Sequence, residues 1–157
     1  MPIRRAQGFT LVELVSVLLL TAILAAVAMN QWPGAGINLA AQADRLQSDI
    51  RYAQSLAMNR GQRYRLNLAA DHYWISDAGG SVTVALPGSG AAVVTLSNGI
   101  TLSSAYGFLV FDGKGAPYTT ADTPGTPLAA DAVITLSADG DSRTLSISPE
   151  TGHVLKS

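Results

Sequence analysis

From Phe9 to Met29 the chain runs for 21 residues with a single charge, Glu13. At about 1.5 Å rise per residue, a helix of that length spans about 30 Å, the hydrocarbon thickness of a bilayer. Arg4 and Arg5 stand just before the run, and no Lys or Arg lies within it. A basic flank ahead of a long apolar stretch reads as an N-terminal membrane signal with its short N-terminus in the cytoplasm. A cleaved secretory signal has a similar layout, but its apolar core is only about 7–15 residues long. Glu13 is the anomaly. A carboxylate at mid-bilayer costs about 2.5–3.5 kcal/mol, and less near an interface. Either Glu13 reaches the cytoplasmic interface, or it has a partner.

The stretch Gly8-Phe9-Thr10-Leu11-Val12-Glu13-Leu14 resembles the type III signal of type IV pilins and type II secretion pseudopilins. In that signal a short basic leader, Gly before Phe and Glu four residues after Phe occur together. The resemblance implies that residues 1–8 are a prepilin leader, cut by prepilin peptidase between Gly8 and Phe9. It also implies that Phe9 becomes N-methylated. The helix 9–29 then stays in the inner membrane, because the cut lies on its cytoplasmic side. Glu13 acquires an assembly role: in a filament core its carboxylate faces the N-terminal amine of a neighbouring subunit. A paired buried carboxylate is tolerable where an unpaired one is costly. The implied partners are other pilins or pseudopilins, the prepilin peptidase, an inner-membrane assembly platform and membrane lipid.

Beyond the anchor, the 157-residue chain leaves room for one domain. It contains no Cys, which excludes disulfides and thiol chemistry. A formal net charge of −1 argues against a chain built to bind nucleic acid. Pro33, Gly34 and Gly36 predict a bend or linker over residues 30–37, with Trp32 at the outer membrane interface. Leu39, Ala43, Leu46, Ile50, Ala53 and Ala57 recur at steps of four and three, which predicts an amphipathic helix over 38–60. Asn38 is its expected N-cap, and Gly61 its stop.

From Gln62 the period becomes two, and strands are expected through residue 155. Tyr64, Leu66 and Leu68 alternate with Arg63, Arg65 and Asn67. Further strands are expected over 71–76, 81–86, 91–96, 100–104, 107–111, 132–137, 144–148 and 153–155. Asn98-Gly99 and Asp139-Gly140 are hairpin signals. Residues 116–131, with three Pro, read as a loop. The expected fold is α+β, with a long N-terminal helix, half transmembrane and half amphipathic, packed on an antiparallel β-sheet head at 38–157. The patterns Phe111-Asp112-Gly113-Lys114-Gly115 and Leu145 to Val154 resemble late patterns of the GspH/FimT group of minor pseudopilins and minor pilins, which includes MSHA-type minor pilins. His153 stands where that group usually has Arg.

No catalytic constellation, metal site or cofactor motif emerges. His72 and His153 lack a ligand spacing and read as surface residues. Asp139, Asp141 and Glu150 imitate parts of a calcium loop, but Arg143 occupies a ligand position and Thr144 the position that needs Gly. Asp112, Asp122 and Asp131 are not assigned as ligands. Arg51, Arg60, Arg63 and Arg65 form a basic cluster, which reads as a solvated face. The resemblance thus implies a non-enzymatic minor pseudopilin of a type II secretion pseudopilus, assembling through its N-terminal helix to support protein export. The alternative is a minor type IV pilin, FimT- or MSHA-like, in pilus biogenesis, adhesion or DNA uptake. The implied location is the inner membrane, single-pass, with a cytoplasmic N-terminus and a periplasmic head.

Overall fold

The computed structural model describes residues 10–30, 35–88, 90–97 and 99–157, and within these every side chain except those of 27–30 and 35–37. Two units result, one ending at Gly34 and the other running from Ala35 to Ser157.

The first unit holds helix α1, Leu11–Asn30. Every described side chain along it, from Leu11 to Ala26, is exposed. Among the described residues no helix is long and apolar enough to cross a membrane. Residues 31–34, half of the expected linker, lie outside the described residues, as do Gly8 and Phe9.

The second unit opens with helix α2, Ala35–Arg60. It begins three residues before the expected start, so Asn38 lies inside the helix and is not its N-cap. The predicted stripe is the buried face: Leu39, Ala43, Leu46, Ile50, Ala53 and Ala57 are all fully buried. Gly61 ends the helix with φ +61°, and the Gln62 N–H donates to the Ala57 carbonyl at 3.2 Å. That six-to-one bond satisfies a carbonyl the helix itself leaves free.

Ten strands follow: β1 Tyr64–Leu68, β2 His72–Asp77, β3 Thr83–Val84, β4 Val93–Thr95, β5 Thr101–Ser104, β6 Phe108–Phe111, β7 Pro117–Tyr118, β8 Ala132–Ala138, β9 Asp141–Ile147 and β10 Val154–Lys156. They form two antiparallel sheets. The first has the order β3-β2-β1-β6-β7, with β4 also on β2; the second has the order β10-β9-β8-β5. α2 packs on β1 and β6 of the first sheet and on β8, β9 and β10 of the second. One apolar core therefore joins both sheets to one helix. Among the described residues every buried apolar side chain lies between Leu39 and Val154, so the second unit carries its own core.

Two further expectations are overturned. The strands flanking Asn98-Gly99 do not form a hairpin: β4 pairs with β2 in the first sheet, whereas β5 pairs with β8 in the second. The chain crosses between sheets here, held by Leu96 N–H to the Asp71 carbonyl and Leu102 N–H to the Ala70 carbonyl. Residues 116–131 are not wholly loop, since β7 pairs with β6 and Tyr118 bridges Pro127. The Asp139-Gly140 signal does close a two-residue hairpin between β8 and β9. Both turn residues have positive φ, +50° and +89°, matching the right-handed twist of the strands.

Candidate functional site

The start of α1 is built by Thr10. Its Oγ1 accepts from the Glu13 N–H at 3.2 Å, and its carbonyl accepts from the Leu14 N–H at 3.2 Å. Thr10-Leu-Val-Glu13 is thus a capping-box sequence of which the threonine half is formed. The pattern is legible in the sequence as T-x-x-E before an apolar run. The cap sets Glu13 in the first turn, where the helix macrodipole favours a carboxylate. We expect Thr10→Ala to lower the helicity of a detergent-bound peptide spanning residues 9–30, with a destabilisation of about 1 kcal/mol measured by circular dichroism.

The two described hydroxyls of α1 are satisfied internally. Ser16 Oγ donates to the Val12 carbonyl at 2.8 Å, and Thr21 Oγ1 to the Val17 carbonyl at 2.9 Å. Hydroxyls bonded this way place no demand on the surroundings. The carboxylate of Glu13 has no donor among the described residues. Around it the helix exposes Leu11, Leu14, Leu18 and Leu24, each more than half exposed. A helix apolar on all sides requires a nonaqueous environment, either lipid or other helices.

In the head, the two late sequence patterns meet in one place. Gln54 of α2 donates from Nε2 to the Gly115 carbonyl at 2.9 Å and to the Thr151 carbonyl at 2.6 Å. Gly152 lies against the same carbonyl and against the Phe111 ring. The turn after β6 is closed by Asp112, whose Oδ1 accepts from the Lys114 and Ala116 N–H groups at 2.9 Å each. Asp112 is therefore occupied in its own turn, and Asp131 accepts from Ser146 Oγ at 2.7 Å. Among the described residues no three His, Asp or Glu side chains are placed to hold a metal. His72 stacks on Trp74 and shares a 2.6 Å contact with Asp71, while His153 is exposed.

One polar pair lies in the core. Tyr73 Oη donates to Asp49 Oδ2 at 2.7 Å, linking β2 to α2, and Arg45 approaches the same oxygen at 3.8 Å. Burial pushes the Asp49 carboxyl above the usual carboxylate range, against the lowering effect of Tyr73 and Arg45. Burial and the adjacent carboxylate raise Tyr73 as well. Asp49 is not part of the apolar stripe of α2, and its pairing with Tyr73 is a tertiary contact.

The basic residues are dispersed. Arg51 donates to the Val154 carbonyl, and Arg60 to Tyr64 Oη. Arg63 lies over the Tyr118 ring at 4.6 Å, and Arg65 over Phe108 at 3.7 Å. Aromatic residues neighbour the cluster both along the chain, at Tyr52 and Tyr64, and across the sheet. The register sets Asn67 opposite both Trp74 and Phe108, and Val110 between Arg65 and Tyr118.

With this geometry in hand, two family models match the chain. Residues 42–152 match the type II transport protein GspH, and residues 3–29 the prokaryotic N-terminal methylation motif. No curated protein sequence matches the chain. Solved structures similar in fold include a minor pilin and a minor pseudopilin. The Pseudomonas aeruginosa type IV minor pilin FimU has a TM-score of 0.59 at 19% identity, covering 80% of this chain and 92% of that one. The minor pseudopilin EpsH from the Type 2 Secretion System of Vibrio cholerae has a TM-score of 0.57 at 11% identity, covering 76% and 96%. The shared fold is α+β, an N-terminal helix with antiparallel sheets.

Proposed function

The chain belongs to the family of the type II transport protein GspH and is a type IV pilin-like minor subunit, and from that premise we propose that it is a minor pseudopilin of a type II secretion pseudopilus. In this reading prepilin peptidase cuts between Gly8 and Phe9, and Phe9 is N-methylated. The run 9–29 anchors the subunit in the inner membrane with the head in the periplasm, handed on by an inner-membrane assembly platform. The observation that carries the reading is α1 itself. Its described side chains are all exposed and its hydroxyls are self-satisfied, leaving Glu13 as the one charged group that needs an external partner. The helix has two successive environments, lipid and then a filament core. In the second, Glu13 meets the Phe9 amine of a neighbour. The work is architectural rather than catalytic.

The test is a Glu13→Ala variant expressed with its partner subunits. Insertion and cleavage at Gly8 are expected to stay at wild-type levels. Recovery in sheared filaments is expected to fall at least about tenfold, because an unpaired buried ammonium costs several kcal/mol. Normal co-assembly would exclude the assigned role of Glu13. The similarity to FimU supports a second reading, a minor type IV pilin in pilus biogenesis, adhesion or DNA uptake. Deletion of the gene separates the two: loss of export with piliation intact favours the first, and the reverse favours the second.

A further inference from the structure

The outer face of the first sheet carries an arrangement that neither the anchor nor the core accounts for. Arg65 projects from β1 onto this face, and its guanidinium lies 3.7 Å from the centroid of the Phe108 ring. The β2–β3 turn folds back over it: a Cβ on Gly80 would come within 3.3 Å of Arg65 Nη1. The guanidinium is therefore held between a ring and a glycine turn. Its Nε is buried without a hydrogen-bond partner. No Asp or Glu among the described residues lies within salt-bridge distance of it, since the ion pairs there involve Arg45, His72 and Lys156. The guanidinium donates to no acceptor among the described residues, and an anion that reaches its N–H groups other than the buried Nε would supply the missing partner.

We propose that this face docks an acidic protein segment, with a carboxylate of the segment taken by the Arg65 guanidinium. Three features favour a carboxylate segment over a nucleic-acid strand. The rings on this face already have partners: Phe108 is covered by Arg65, Tyr118 by Arg63 and Trp74 by His72. Bases therefore find no free stacking platform, which sequence-tolerant strand binding needs. The face offers guanidinium N–H donors, whose fork geometry suits a single carboxylate. Asp71, largely exposed beside His72, opposes an extended polyanion at one edge. Preorganisation by Phe108 and Gly80 also lowers the ordering cost of the long Arg side chain on binding.

The second unit carries its own core, so residues 35–157 suffice for the test. Isotope-labelled protein is titrated with a peptide of alternating Glu and Leu, a control peptide of alternating Lys and Leu, and an oligothymidylate of equal charge. The acidic peptide is expected to shift the Trp74 indole N–H and Arg65 side-chain resonances in a saturable manner. Arg65→Gln is expected to weaken it at least about tenfold, as for loss of a charge-assisted pair, with amide resonances elsewhere unchanged. Arg65→Lys keeps the charge but loses the fork, and is expected to recover only part of the affinity. Arg143→Gln, on the β8–β9 hairpin, is expected to change nothing. The proposal is overturned by absence of saturation at millimolar peptide or an equal response to the basic peptide. An equal loss in Arg143→Gln, or tighter binding of the oligothymidylate than of the acidic peptide, overturns it as well.

Discussion

Gly152→Ala is expected to destabilise the head by about 3 kcal/mol or more. Gly152 has φ +64°, a conformation that costs an L-residue about 1–2 kcal/mol. The larger part is steric. An added Cβ would sit 2.5 Å from the Gly115 carbonyl oxygen and 2.7 Å from Gln54 Nε2. The carbonyl belongs to backbone fixed by the turn after β6, where the Gly115 N–H donates to the Asp112 carbonyl at 2.9 Å. Gln54 could swing away only by giving up its two carbonyl acceptors, Gly115 and Thr151. Gly140→Ala is the matched control, with φ +89° and nothing within 4 Å of the added carbon. Urea denaturation of residues 35–157 should show a midpoint loss for Gly152→Ala at least about twice that for Gly140→Ala. Equal losses would mean that backbone strain alone is at stake and that the contact between the two turns adds nothing.

The second large effect is set by pH. Asp49 has its carboxyl raised by burial, so the folded head holds this proton more tightly than the unfolded chain does. Its contribution to stability is full below about pH 4 and declines as pH rises through the folded value. Tyr73 moderates the decline by donating to the ionised carboxylate. Tyr73→Phe removes that donor and raises Asp49 further. The variant should be close to wild type at pH 3 and less stable by about 2–3 kcal/mol at pH 7, where a buried carboxylate has lost its hydrogen bond. Above pH 10 the order of slopes reverses. Tyr73 in the folded head resists ionisation while the unfolded chain ionises freely, so wild-type stability falls there. The phenylalanine variant lacks that part of the fall. Urea midpoints across pH 3–11 read both limbs. A cost for Tyr73→Phe that does not vary with pH would show that the residue acts through packing alone.

These two sites were legible in sequence to different degrees. Gly152 was visible inside the second late pattern, but the reason for glycine there was not. It lies in a carbonyl 37 positions away in the chain and in a glutamine on α2. Asp49 looked like one of the polar residues filling the faces of α2 that the apolar stripe leaves. A helical wheel locates a side chain by angle alone, and the packing of β2 decides which of those angles are covered. Likewise Arg60, Arg63 and Arg65 are close along the chain, yet each is engaged differently once the strands pair.

Sequence alone settled whatever depends on short-range chemistry. The apolar run of α1 and its capping-box residues, the apolar stripe of α2, the Gly61 stop and the Asp139-Gly140 hairpin are each encoded by residues within a few positions of one another. Tertiary structure decided which sheet each short strand joins. β3, β4 and β5 are two to four residues long and carry little register information of their own. The Asn98-Gly99 signal was outweighed because β4 and β5 gain more from β2 and β8 than from each other. Pairing across the sheet also placed aromatic rings under Arg63 and Arg65 and left the Arg65 guanidinium without a carboxylate. Those contacts join residues distant in sequence, so no local pattern encodes them.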